Sequence, residues 1–97
     1  MLPLASLGKD KPYLVIFHAA WCGSCQTMTP ILQQVQEQLD TDISYLEIDT
    51  DSNPQIAAAF QIRSIPSLIL FHKGKVLWKH SGLIAVRDLT KQIAKHL

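Results

Sequence analysis

Tyr13-Leu14-Val15-Ile16-Phe17-His18-Ala19-Ala20-Trp21-Cys22-Gly23-Ser24-Cys25 is the stretch on which the reading of this chain turns. Tyr13 to Phe17 is an unbroken apolar run of β-branched and aromatic residues, the pattern of a strand buried on both faces. It leads directly into a Cys-x-x-Cys pair. From Cys25 onward, Cys25, Met28, Leu32, Val35 and Leu39 recur every three or four residues, one apolar stripe of a helix. Gln33, Gln34, Gln36 and Glu37 fall mostly on its other side. Pro30 lies inside this helix, where it removes a hydrogen bond and is expected to kink it.

The rest of the chain extends the alternation. Ile43 to Asp49 reads as a second strand, with Leu46 and Ile48 on one face. Asn53-Pro54 supplies a cap and a proline for the first turn of a short helix through Phe60. Ser67 to Phe71 is strand-like, Lys73-Gly74 is a turn, and Val76 to Trp78 return as the second arm of a hairpin. Val86, Leu89, Ile93 and Leu97 mark a final helix. The order β-α-β-α-β-β-α predicts an α/β fold with a mixed sheet, parallel at the first crossover and antiparallel at the hairpin.

Ninety-seven residues suit one domain, expected to span 1–97. With 47% hydrophobic and 18% charged residues, the balance is that of a globular chain. A formal net charge of +1 offers no basic patch for nucleic acid. No apolar run reaches the length of a membrane span, and no membrane association is expected. Leu2 to Leu7 is too short, and lacks the preceding Lys or Arg, to read as a signal peptide. A cytoplasmic protein is therefore expected.

Two cysteines this close cannot constrain the unfolded chain much, and redox or metal chemistry explains them better than a structural staple. A closed zinc site needs four ligands, and no second Cys pair exists; His72 and His80 lack ligand spacing. The redox reading has a mechanism. Cys22 falls at the N-terminus of the helix, where unpaired N–H groups and the helix dipole favour a thiolate. Cys25 belongs to the buried stripe. Cys22 is accordingly the expected nucleophile, and Cys25 the shielded thiol that resolves the mixed disulfide.

Trp21-Cys22-Gly23-Ser24-Cys25 resembles the active-site motif of the thioredoxin family, with Ser24 in place of the usual proline. The resemblance continues through Pro30, Asp49, Arg63-Ser64-Ile65-Pro66-Ser67, Phe71 with Lys73-Gly74, and Ser81-Gly82. It implies a thioredoxin fold with a central four-stranded mixed sheet flanked by helices. It further implies a cis bond before Pro66, which would face the cysteines and keep metals off them. The Ile65 backbone would pair with an extended client chain, and Trp21, Gly23, Ser24 and Gly82 would complete a shallow docking surface. No bound cofactor is expected. The implied partners are disulfide-containing client proteins and a flavin-containing, NADPH-dependent thioredoxin reductase, and a monomer is expected.

Departures from the family's pattern bear on function. About a dozen residues precede Tyr13, so the family's first strand is expected to be missing or vestigial and Ile43–Asp49 to form a sheet edge. Ile16 occupies the position of a buried aspartate that serves the resolving cysteine. His18 stands where Trp is common, and Tyr45 is aligned with a lysine that some members pair with that aspartate. His18, two residues along the strand from Ile16 and on the same face, is the candidate replacement proton relay. Ser24, bringing a backbone N–H and a hydroxyl near Cys22, is expected to make the pair less reducing. Arg63, Glu47, Asp49 and Asp51 read as solvated surface. The expected activity is reduction of protein disulfides; a thiol oxidase or disulfide isomerase of more oxidising poise, or a non-redox docking module, are the alternatives.

Overall fold

The structure, a computed structural model, describes residues 11–97. The expectation about the family's first strand falls on residues outside that range. The elements are β1 (Tyr13–His18), α1 (Gly23–Gln38), β2 (Ser44–Asp49), α2 (Pro54–Ala59), β3 (Ser67–His72), β4 (Lys75–Ser81) and α3 (Val86–His96). Their order is the one the sequence pattern predicts.

The apolar run at Tyr13 builds the centre of the sheet. Its strands lie in the order β2-β1-β3-β4, with β1 parallel to β2 and antiparallel to β3. Leu14, Val15, Ile16 and Phe17 are all buried because both sheet faces are covered. On one face Leu14, Ile16, Leu68 and Leu70 pack with Met28, Leu32 and Val35 of α1 and Leu89 and Ile93 of α3. On the other, Val15, Phe17, Ile48, Ile69 and Phe71 pack with Ile56 of α2. Each fully buried side chain of this size contributes about 1.5–3 kcal/mol. As expected, β2 is an edge of the sheet described here, with Leu46 and Ile48 turned to the α2 side.

The hairpin turn is a pair of residues at positive φ, Lys73 (55°) and Gly74 (76°), the twist that suits a two-residue connection. Buried positions of α1 are Cys25, Met28, Leu32 and Val35, as the periodicity requires, and Pro30 lies within this one helix. Two local expectations need correction. Asn53 makes no side-chain cap; its Nδ2 donates instead to the Asp49 carbonyl at 3.0 Å, tying the chain back to the end of β2. Leu97 lies beyond α3 and stays 46% exposed, so the buried stripe of that helix ends at Ile93.

Candidate active site

Residues 19–22 carry the chain from the end of β1 into α1, and β1 is anchored there from β2. Thr50 donates from its backbone N (2.9 Å) and its hydroxyl (3.2 Å) to the His18 carbonyl. Cys22 is the N-cap of α1 and its side chain does the capping: Sγ accepts the Cys25 backbone N–H at 3.1 Å. Ser24 Oγ lies 3.5 Å from the same sulfur. Cys22 and Cys25 are joined as a disulfide with Cα atoms 5.3 Å apart.

Burial does not separate the two sulfurs as the helical stripe suggests. Cys22 is 5% exposed and Cys25 7%. The covering comes from distant sequence: both cysteines cluster with Ala19, and Ile65 packs against them. What distinguishes Cys22 is its place at the helix terminus and the N–H directed at its sulfur, the two features that stabilise a thiolate. The N–H in question belongs to Cys25. Ser24 brings its hydroxyl to Cys22, and its own backbone N–H does not bond that sulfur, which narrows the expected influence of Ser24 to one group.

Of the remaining expected residues, Ile65 packs against the pair and leads into Pro66. The Ile65–Pro66 bond is cis, and Pro66 is buried. Its carbonyl accepts the Gly82 N–H at 2.7 Å, so the segment before β3 and the end of β4 are locked side by side. Gly82 has φ of +93°, a conformation costly for any residue with a Cβ. The Ser67 hydroxyl, 1% exposed, donates to the Ser64 carbonyl at 2.6 Å and holds the approach to Pro66. Trp21 is 71% exposed, while Gly23 and Ser24 are exposed at the start of α1. Beside Trp21 runs a groove of about 300 Å³ lined by Thr50, Ala57, Ile62, Arg63, Ser64 and Ile65.

Two of the acidic residues read as solvated surface have defined work. Asp49 Oδ1 accepts the backbone N–H groups of Asp51 (2.8 Å) and Ser52 (3.2 Å), shaping the turn after β2. Asp51 Oδ2 accepts the Trp21 indole N–H at 2.9 Å, tying the ring to the turn after β2. The sequence signal was the indole itself: an exposed tryptophan at a rigid turn orients well only with a partner for its N–H.

The strand β2 residues beside Ile16 follow from the sheet register. In the parallel ladder Ile16 lies opposite Glu47, and Tyr45 lies opposite Leu14, further from the cysteines. Glu47 is thus the register partner of Ile16, while Tyr45, two positions before it, lines a neighbouring cavity with both. Burial raises the Tyr45 phenol above its ordinary pKa, which keeps it neutral. His18 and Ile16 do share a face: both line a cavity of about 160 Å³ that reaches Cys25.

Comparison with known proteins agrees with this geometry. The family model described as thioredoxin matches residues 4–95. A thioredoxin-like protein of Synechocystis sp., slr0233, is 44% identical over 86 residues, covering 89% of this chain and 82% of that protein. Thioredoxin 1 of Nostoc sp. is 36% identical over 91 residues, covering 94% and 85%. The solved structure of a mutant thioredoxin from Halobacterium salinarum NRC-1 superposes with a TM-score of 0.82 at 33% identity, covering 95% of this chain and 79% of that one. A four-stranded mixed sheet flanked by helices, a Cys-x-x-Cys disulfide at the head of α1 and relatives of this similarity place the chain in the thioredoxin family.

Proposed function

We propose that this thiol–disulfide oxidoreductase works in the reducing direction, opening disulfides of client proteins and being recharged by a flavin-containing, NADPH-dependent reductase. The observation that carries the reading is the Cys22 sulfur, held at the helix N-terminus with an N–H on it, beside Trp21, Ile65, cis-Pro66 and Gly82. A client chain lies along that surface with its disulfide over Cys22. The Cys22 thiolate attacks one client sulfur and expels the other as a thiolate. Cys25 then loses its proton to His18, attacks Cys22, and releases the second client sulfur. The protein leaves as its disulfide, two electrons poorer. Such a role suits the cytoplasm, whose glutathione pool keeps thiols reduced.

A second reading, a thiol oxidase or disulfide isomerase, is favoured by one feature: the Ser24 hydroxyl beside Cys22 stabilises the reduced form and raises the potential. Equilibration with glutathione separates the two. A potential between about −270 and −240 mV supports the reductase, and one near −180 mV or higher replaces it with the oxidase or isomerase. Full biological activity in a Cys22→Ser, Cys25→Ser double variant would instead identify a docking module.

A further inference from the structure

The cavity over Cys25 joins three elements and collects three groups able to hold or attract a proton. α1 contributes Cys25, β1 contributes His18, and β2 contributes Glu47; Ile16 forms the floor between them. Residues opposite one another in neighbouring strands project from the same sheet face, so the Ile16–Glu47 pairing sets the carboxylate beside the residue that stands where the family has its aspartate. Glu47 is exposed, His18 half-buried and Cys25 buried, so the three stand in order of increasing depth around the cavity. A volume of about 160 Å³ with polar lining from Gln26 and Thr29 has room for several waters.

We propose that Glu47 is a positioning residue for resolution: sharing the Cys25 cavity with His18, its carboxylate stabilises the imidazolium that forms when His18 takes the Cys25 proton. This rests on the reading of Cys25 as the resolving thiol and His18 as its base. Starting from the Cys22–client mixed disulfide, the Cys25 S–H proton passes to His18 directly or through a cavity water. The Cys25 Sγ–Cys22 Sγ bond forms as the Cys22 Sγ–client sulfur bond breaks. The bonding pair leaves on the client sulfur, and the resulting thiolate takes a proton from solvent while His18 returns its own. No outside electron donor enters.

Other ionisable groups at this face do not substitute. Asp49 is the ladder partner of His18, but it does not line the Cys25 cavity, and its Oδ1 is turned to the Asp51 and Ser52 N–H groups. The Tyr45 phenol, in the adjoining cavity, is kept neutral by burial. From α1, only Cys25 among the cavity's lining residues titrates.

The first test is an NMR titration of the His18 ring in the oxidised protein. Across a wet cavity a carboxylate favours the imidazolium, so Glu47→Gln should move the ring's titration to lower pH, and Glu47→Asp should move it less. An unmoved midpoint overturns the proposal. The second test loads Cys22 with thionitrobenzoate and follows release of the coloured thiolate at pH 7. Glu47→Gln should slow release by about two- to four-fold, with Glu47→Asp between it and the parent. It should slow it no further in a His18→Gln background; equal slowing in both backgrounds overturns the coupling. Release at the parent rate from Cys25→Ser would show that Cys25 does not resolve, so the underlying reading fails and the proposal with it, whatever the titration gives.

Discussion

Replacing Ser24 with alanine removes one hydroxyl from the Cys22 sulfur and should make the protein a stronger reductant. The Ser24 Oγ–Cys22 Sγ separation is 3.5 Å in the disulfide form, where sulfur is a weak acceptor. Reduction turns that sulfur into a thiolate, and the same hydroxyl then bonds a charge. A hydrogen bond to a charged group contributes about 1.5–3 kcal/mol. Ser24 is exposed, so water replaces the hydroxyl in the variant, and about 0.7–1.4 kcal/mol of differential stabilisation is the reasonable share. At about 1.4 kcal/mol per 30 mV for a two-electron couple, this is about 15–30 mV. The sign follows: the bond stabilises the reduced form, so losing it makes the potential more negative. Equilibration of parent and Ser24→Ala against glutathione, quantified by alkylation and mass, measures the difference directly. The pH midpoint of Cys22 alkylation should rise in parallel. An unchanged or less negative potential would refute the assignment of the hydroxyl to the thiolate. Ser24→Pro should move the potential in the same direction, since the Cys25 N–H on Cys22 survives that change.

Trp21→Ala should raise KM for a protein disulfide several-fold in steady-state reduction, while chemical denaturation moves by no more than about 0.5 kcal/mol because the ring is 71% exposed. Phe17→Ala removes a fully buried ring 5.8 Å from that of Phe60 and should cost about 3–5 kcal/mol in urea denaturation. A loss below 1 kcal/mol would mean that this side of the sheet is not the core described. Stability should also fall at alkaline pH through Tyr45, whose folded pKa is raised above the unfolded value near 10.0. Such a group contributes its full stability below the unfolded pKa and loses it as pH rises through the folded one. Tyr45→Phe should flatten the stability profile above pH 10, as followed by thermal melts across that range.

Local pattern carried most of the fold. The β1 run and the α1 stripe are written in adjacent residues, and a buried strand and an amphipathic helix follow from period alone. The cysteines' place at their junction was legible for the same reason. What failed depended on contacts between distant segments. Glu47 as the ladder partner of Ile16 depends on the register of β2 against β1, which packing on two sheet faces fixes and alternation alone does not, because a shift of two residues preserves it. Cys22 looked exposed because it is off the α1 stripe; Ile65, some forty positions later, helps to bury it. Asn53 has the composition of a cap, yet the nearby Asp49 carbonyl claims its amide. Asp51 is exposed, as read, and the turn that brings it to the Trp21 indole was not legible in local pattern.

The central chemistry is the transfer of two electrons from Cys22 and Cys25 to a client disulfide. The direct measurement mixes the fully reduced protein, free of other thiols, with an excess of a disulfide-bonded protein such as insulin. Alkylation and mass spectrometry then count the thiols on each partner. The prediction is one client disulfide opened for each Cys22–Cys25 disulfide formed, with no reduction by Cys22→Ser and a Cys22-linked client adduct from Cys25→Ser. A client that stays oxidised beside a protein that keeps both thiols, or an adduct on Cys25 in the Cys22→Ser variant at the parent rate, would contradict it.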